Sequence, residues 1–349
     1  MSEITLARLG WTEERQAEWD PSRGLTPGRV AVEHRSAYVV YTEHGEVWAE
    51  LAGRLRHEGV FPAVGDWVAV RPRSTIVALL PRRTVFSRKQ PWETKEQVLA
   101  VNADTVFVVV ALTERDFKLR RLERYLATAW ESGAQPVIVL TKRDLCDDVA
   151  GAVAEAEGVA FGVPVHAVSA VSGEGLGDLG PYLAPGQTVA LLGSSGVGKS
   201  TLVNHLVGQE LLATQEIRAD GRGRHTTTHR ELVLLPDGGL VLDTPGLREL
   251  QIWDASEGVE HTFDDVASIA AGCRFSDCGH EREPGCAVRA AIASGALARE
   301  RLDSYRKLQR ELARLQRRVD QRARAEFGKQ LRRDARRRRR AQRPPRRRA

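Results

Sequence analysis

Gly193-Ser194-Ser195-Gly196-Val197-Gly198-Lys199-Ser200 decides how this chain folds. The apolar run Gln187 to Leu192 precedes it with the composition of a buried strand, and Thr201 to Val207 follows as the first turns of a helix. Strand, G-x-x-x-x-G-K-S and helix together make a phosphate loop. Its glycines let successive backbone N–H groups turn inward around a polyphosphate, and the helix N-terminus behind them adds a positive dipole end. Lys199 reaches the β- and γ-phosphates in such a loop, and the Ser200 hydroxyl sits on Mg²⁺.

Around this loop, a chain of 349 residues is expected to form two or three domains, and 42% apolar content suffices for real cores. No run approaches the roughly 20 apolar residues of a membrane span. Met1 to Asp20 carries Glu3, Glu13 and Glu14 and lacks the apolar centre of a secretory signal, so a soluble, cytoplasmic protein is expected. The net charge of +6 is unevenly spread. Residues 329–349 hold twelve Lys and Arg against the single acid Asp334, a net of +11, which leaves −5 for the rest. Such a block is expected to be a disordered arm, of a kind commonly used on nucleic acid. Four cysteines, three of them clustered with a histidine, favour metal ligation over a disulfide framework.

Residues 1–28 form a weakly patterned extension in which Trp11 and Trp19 are expected to pack onto the neighbouring domain. Between 29 and 86 come five short runs of strand composition: Val30 to Val32, Ala37 to Tyr41, Glu46 to Leu51, Asp66 to Val70 and Ile76 to Leu80. Five strands in so short a span predict a small closed barrel of the OB type, a fold that often binds oligonucleotides. A hinge is expected at Ser87 to Thr94, around Pro91. Apolar strands then alternate with amphipathic helices across 95–252, which predicts a mostly parallel sheet covered on both faces, with its ligand at the carboxyl ends of the strands.

Further motifs fall at those strand ends. Thr141-Lys142-Arg143-Asp144 follows the strand ending at Leu140. A carboxylate there accepts hydrogen bonds from N1–H and N2–H₂ of guanine, which adenine cannot supply, so Asp144 makes the nucleotide GTP. Lys142 covers the base with its aliphatic stem. Ser169-Ala170 follows the strand from Pro164, where backbone N–H groups meet the guanine O6. After the phosphate loop, Gly221 to Thr228 ends in hydroxyls; Thr228, or else Thr227, completes the Mg²⁺ shell and senses the γ-phosphate. In Asp243-Thr244-Pro245-Gly246 the carboxylate holds Mg²⁺ through water and the Gly246 N–H meets the γ-phosphate. In Ras-like GTPases the phosphate loop comes first, but here the base-reading pair precedes it, as in a circularly permuted domain.

This motif order, with a barrel before it and a Cys/His cluster after it, resembles the small-ribosomal-subunit-dependent GTPase A family, the circularly permuted GTPases of bacterial ribosome biogenesis. The resemblance covers roughly residues 29–310. It implies a multidomain α/β protein with an N-terminal five-stranded OB-type barrel, a permuted Ras-like P-loop GTPase domain over 95–252, and a zinc-binding helical domain over 260–328. It also implies action on the 30S subunit and 16S rRNA late in maturation, by a chain expected to be monomeric. Cys273, Cys278, His280 and Cys286 supply three thiolates and an imidazole within 14 residues, a closed Cys₃His set that makes the zinc structural. Leu308, Leu312, Leu315 and Val319 recur at helical spacing and are expected to pack on that domain's core. Thr141 departs from the asparagine common in GTPases, and is expected to weaken the bonds that tie the base motif to the phosphate loop.

Many GTPases place a glutamine directly after D-x-x-G to orient the attacking water, and here Leu247 stands in that position. His225, beside the switch threonines, is the expected replacement, a role the resemblance supports. Two further readings compete: an RNA-binding assembly placeholder that uses GTP structurally without turnover, and a P-loop ATP phosphotransferase, which Asp144 disfavours.

Overall fold

Capping starts the chain's first element. In the computed structural model, which describes residues 4–89, 96–208, 231–243, 256–317 and 321, the Thr12 side chain accepts from Arg15 N and opens α1 (Glu13–Glu18). Strands β1 (Thr26–Glu33), β2 (Tyr38–Thr42) and β3 (Gly45–Leu51) come next, then helix α2 (Gly53–Glu58), β4 (Trp67–Arg71) and β5 (Thr75–Leu79). Pairing runs β1–β2–β3–β5–β4 and returns from β4 to β1, so the sheet closes on itself as the expected barrel. The β3–β5 pair is parallel and the other four are antiparallel. Trp67 is buried, Trp11 meets it edge-on at 4.8 Å, and Trp19 meets Trp11 at 5.7 Å. Trp11 thus packs on the barrel as expected, while Trp19 packs on Trp11.

The expected hinge is in part a hairpin. β6 (Val85–Lys89) pairs antiparallel with β7 (Glu96–Val101), setting Ser87, Arg88 and Lys89 opposite Val98, Gln97 and Glu96. Residues 90–95, with Pro91, lie outside the described residues. The reading as a hinge gave Pro91 more weight than the strand-forming Val85-Phe86 and Val98-Leu99 on either side of it.

The second unit alternates β8 (Thr105–Ala111), α3 (Leu119–Glu131), β9 (Gln135–Thr141), α4 (Val149–Glu157), β10 (Val165–Ala167), β11 (Thr188–Leu192), α5 (Lys199–Val207), β12 (Glu231–Leu234) and β13 (Leu240–Asp243). Its strands lie in the order β10-β9-β8-β11-β13-β12, parallel except for β12. Alternation along β8 explains the two layers of helices. Val106, Val108 and Val110 share one core with Leu122 and Leu126 of α3, while Phe107, Val109 and Ala111 share another with Leu202 and Val203 of α5. At the far edge Val32 of β1 pairs with Glu231 of β12, so barrel and parallel sheet run on as eleven hydrogen-bonded strands.

The third unit is helical: α6 (Ser256–Thr262), α7 (Asp264–Ala270), α8 (Ala287–Ala293) and a helix across 299–317, α9. Val259, Phe263, Val266, Val288, Leu302 and Leu308 form its core, with Leu312 packed against it and Leu315 half-buried; Val319 lies outside the described residues. The leucine stripe therefore serves packing, as expected. Ala127 of α3 belongs to this same core, and a Cβ on Gly258 of α6 would collide with the Ala127 carbonyl oxygen, so only glycine lets the two helices approach this closely.

Arg29 ties the N-terminal segment, the barrel and the parallel sheet together. Its fully buried guanidinium donates to the carbonyls of Leu9, Gly65 (3.4 Å) and Asn102 (2.8 Å), and burial pushes its pKa down to about 10. Arg29→Met keeps the stem but removes the guanidinium donor from the Leu9 and Asn102 carbonyls, while the Gly65 carbonyl keeps the Asn102 side-chain amide at 3.0 Å. It is expected to destabilise the chain by about 2 to 3 kcal/mol, read as a lower urea midpoint; an unchanged midpoint would show that the guanidinium is dispensable.

Candidate functional site

Parallel strands bring their carboxyl ends to one edge, and β11 lies between β8 and β13 with Ala190 level with Val106 and Leu242. The phosphate loop leaves β11 at that edge. Gly193 presses against β8 so closely that a Cβ would strike the Val109 carbonyl oxygen. Gly196 and Gly198 adopt positive φ of 81° and 95°, and Gly198 caps α5. Lys199 is buried and donates from Nζ to the carbonyls of Gly193 (2.7 Å) and Ser194. The ammonium is thus held within the loop's own turn. Val197 is buried, Ser195 and Gly196 are exposed, and Ser200 and Thr201 on the first turn of α5 are half-buried.

The base-reading loop touches the phosphate loop directly. Thr141, the last residue of β9, is buried, and its hydroxyl donates to the Val197 carbonyl inside the phosphate loop, with Val110 O at 3.3 Å. The threonine was expected to weaken this tie; its short side chain supplies a hydrogen bond of its own. Lys142 at φ 57° then turns the chain into a 3-10 turn, Arg143–Leu145, on which Asp144 is exposed. Ser169 is fully buried; its hydroxyl donates to Asp144 Oδ1 at 2.6 Å while accepting from Ser172 N at 3.1 Å. Sequence reasoning gave Ser169 only backbone work, so this clamp on the Asp144 carboxylate is an addition. Ala170 is half-buried beside it, and Arg143 pairs with Glu174 at 2.8 Å. Asp243, 8% exposed, ends β13 one position beyond Leu242.

Two residues that carried no motif also reach the phosphate loop. Tyr125 and Arg121 of α3 both meet the Ser194 hydroxyl, at 2.9 and 3.3 Å. No local pattern announces them, because 69 and 73 residues separate each from its partner. His225, Thr227, Thr228, Gly246 and Leu247 lie outside the described residues, as does the arginine-rich stretch 329–349.

In the helical unit, the donor atoms of Cys273, Cys278, His280 and Cys286 lie within 4.8 Å of one another. Cys273 Sγ and Cys286 Sγ are 3.9 Å apart, and His280 Nδ1 is 3.6 and 3.5 Å from them. Tetrahedral zinc at about 2.3 Å from sulfur and about 2.0 Å from nitrogen needs separations of roughly 3.8 and 3.5 Å. The donor set therefore fits zinc in both kind and spacing. His280 adopts φ 58°, and burial, aided by Arg306, lowers its pKa, which favours the neutral imidazole a metal requires. Cys146 sits apart, packed against the main core.

Comparison with known proteins adds to this geometry. A family model described as RsgA GTPase matches residues 79–253. The chain is 52% identical over 339 residues to the small ribosomal subunit biogenesis GTPase RsgA of Opitutus terrae, covering 91% of this chain and 92% of that protein. It is 47% identical to the protein of that name from Streptomyces coelicolor, covering 94% and 92%. The crystal structure of YjeQ from Thermotoga maritima aligns at a TM-score of 0.65 and 30% identity, over 83% of this chain and 99% of that one. YloQ, a circularly permuted GTPase, shares the fold at a TM-score of 0.61 and 24% identity.

Thr141→Val removes only the hydroxyl that reaches Val197. Losing a hydrogen bond of about 1 kcal/mol is expected to raise the dissociation constant for fluorescently labelled GDP about fivefold, measured by titration; unchanged affinity would mean that the two loops need no tie.

Proposed function

Because the chain belongs to the RsgA GTPase family and is thus an enzyme that hydrolyses GTP, we propose that it binds the 30S ribosomal subunit and couples hydrolysis to late subunit maturation and its own release. What supports the nucleotide site in this reading is the Thr141–Val197 contact, which brings the loop that carries Asp144 against the loop from Gly193 to Ser200. Asp144, oriented by Ser169, accepts from the guanine edge; Lys142 covers the base; the Ser169 to Ala170 backbone faces O6. The loop from Gly193 to Ser200 wraps the phosphates, with Lys199 held by two loop carbonyls so that little ordering is left to pay on binding.

Ser200 and Asp243 present hard oxygen donors on neighbouring elements, suited to Mg²⁺, with Thr228 or Thr227 completing the set. When bound, Mg²⁺ supplies charge neutralisation between the β- and γ-phosphates. His225 positions the attacking water, since the aliphatic Leu247 cannot, and Gly246 N–H faces the γ-phosphate. Hydrolysis by the free protein is slow, and 16S rRNA in the assembled subunit orders the catalytic loop.

Units at 29–86, 95–252 and 260–328 divide this work among barrel, nucleotide domain and zinc domain, with 329–349 as a basic arm toward RNA. One structural zinc at Cys273, Cys278, His280 and Cys286 holds the third unit; with four protein donors it keeps no open position for catalysis. The protein acts in the cytoplasm as a monomer. No helix among the described residues is long and apolar enough to cross a membrane.

Cys278→Ser is expected to abolish stoichiometric zinc, measured by atomic absorption on purified protein, and to make the helical unit open to protease. GTP turnover with and without purified 30S subunits tests the central reading: stimulation of at least tenfold is expected, and His225→Ala should remove it while labelled GDP still binds. If His225→Ala still matures subunits and leaves them at the normal rate, GTP is structural and the protein is an assembly placeholder.

A further inference from the structure

Side chains two apart on a helix point about 200° apart, so α3 has two opposed faces that can each grip something. One face carries Arg121 and Tyr125, four residues apart, and both meet the Ser194 hydroxyl at the start of the phosphate loop. The opposite face carries Glu123 and Ala127, again four residues apart, and both belong to the contact with the helical C-terminal unit, as does Glu131 at the end of the helix. Glu123 Oε1 accepts from Arg301 Nη1 at 2.8 Å, Ala127 lies in the C-terminal core, and Glu131 accepts from Gly258 N at 2.9 Å.

The Glu123–Arg301 pair is almost entirely dry, with side-chain exposures of 3% and 5%. Arg301 is also fixed by both oxygens of Asp265, each at 3.0 Å, and by the Phe263 ring 4.2 Å beneath it. Buried ion pairs add little net stability over apolar packing, and their best-attested use is to fix one arrangement of the parts they join. Here the parts are the C-terminal unit and the helix that holds Ser194. Lys199 Nζ in turn donates to the Ser194 carbonyl, so any displacement of Ser194 displaces the anchor of the phosphate-binding ammonium.

We propose that α3 is a rigid coupler, in which Tyr125 and Arg301 are positioning residues: docking of the C-terminal unit through Glu123–Arg301 sets the phosphate loop through Tyr125–Ser194. Nucleotide affinity and the order of the C-terminal unit then depend on one another by the same factor, whichever is perturbed first. The inference rests on the reading of Gly193 to Ser200 as the nucleotide site.

The test uses the full chain and labelled GDP. Tyr125→Phe removes one hydroxyl, and Arg301→Lys keeps the charge but loses the fork that holds Glu123 and Asp265 together. Each is expected to weaken GDP binding about three- to tenfold, and the double variant should be no weaker than the weaker single, since both break one connection; independent sites would multiply. In the wild type, GDP should slow hydrogen exchange around 262–265 and 299–308, and Tyr125→Phe should abolish that slowing. Multiplying effects, or exchange in the C-terminal unit that ignores GDP, would overturn the coupling while leaving the nucleotide site intact. A wild-type chain that binds no GDP would overturn the site itself. Should Arg301→Lys fail to fold, Glu123→Gln, which keeps the shape and removes the charge, takes its place with the same expectation.

Discussion

Everything at the nucleotide site depends on β11 lying parallel between β8 and β13. That placement is an energetic consequence of composition: Val189, Ala190, Leu191 and Leu192 are buried, and only a central strand has both faces covered by helices. Once β11 is central, the phosphate loop must emerge at the edge where β9, β10 and β13 also end, however the chain is ordered. Circular permutation changes which loops are cut and joined; it leaves this edge unaltered.

Proximity at an edge is not yet a site, and the structure adds specific ties. The Thr141 hydroxyl joins the loop after β9 to Val197, the Ser169 hydroxyl donates to the Asp144 carboxylate, and Lys199 is held by the Gly193 and Ser194 carbonyls. Each is a short polar contact from a buried or nearly buried side chain, where an unmet partner costs more than in water. The loops after β9, β10 and β11 are therefore tied to one another by their own side chains. The zinc-type cluster obeys the same logic, since Cys273, Cys286 and His280 already lie at the separations a tetrahedral zinc needs, with Cys278 within 4.8 Å of them.

Much of this was legible in the sequence, because the signals were local. Strand composition and turn residues placed all five barrel strands within a few residues, and fixed spacing picked out the Cys₃His cluster. Misread or missed features are of two physical kinds. In sequence the β6–β7 hairpin reads as a hinge because one proline outweighs the strand formers flanking it. Arg29, Tyr125, Glu123 and Arg301 gave no sign at all, since their partners lie from tens of residues to 178 residues away and a lone charged or aromatic residue has no period.

The pairing of Val32 with Glu231 has a consequence for how the molecule behaves in a crowded solution. An open sheet ends in a row of unsatisfied backbone groups that can recruit a strand from another molecule. Here β12, which would be that rim, abuts a barrel that has no rim of its own, and the opposite margin is β10, three residues long. The barrel thus covers the start of that rim at Glu231, so detaching it would open backbone groups of β12 to strand-swapped association.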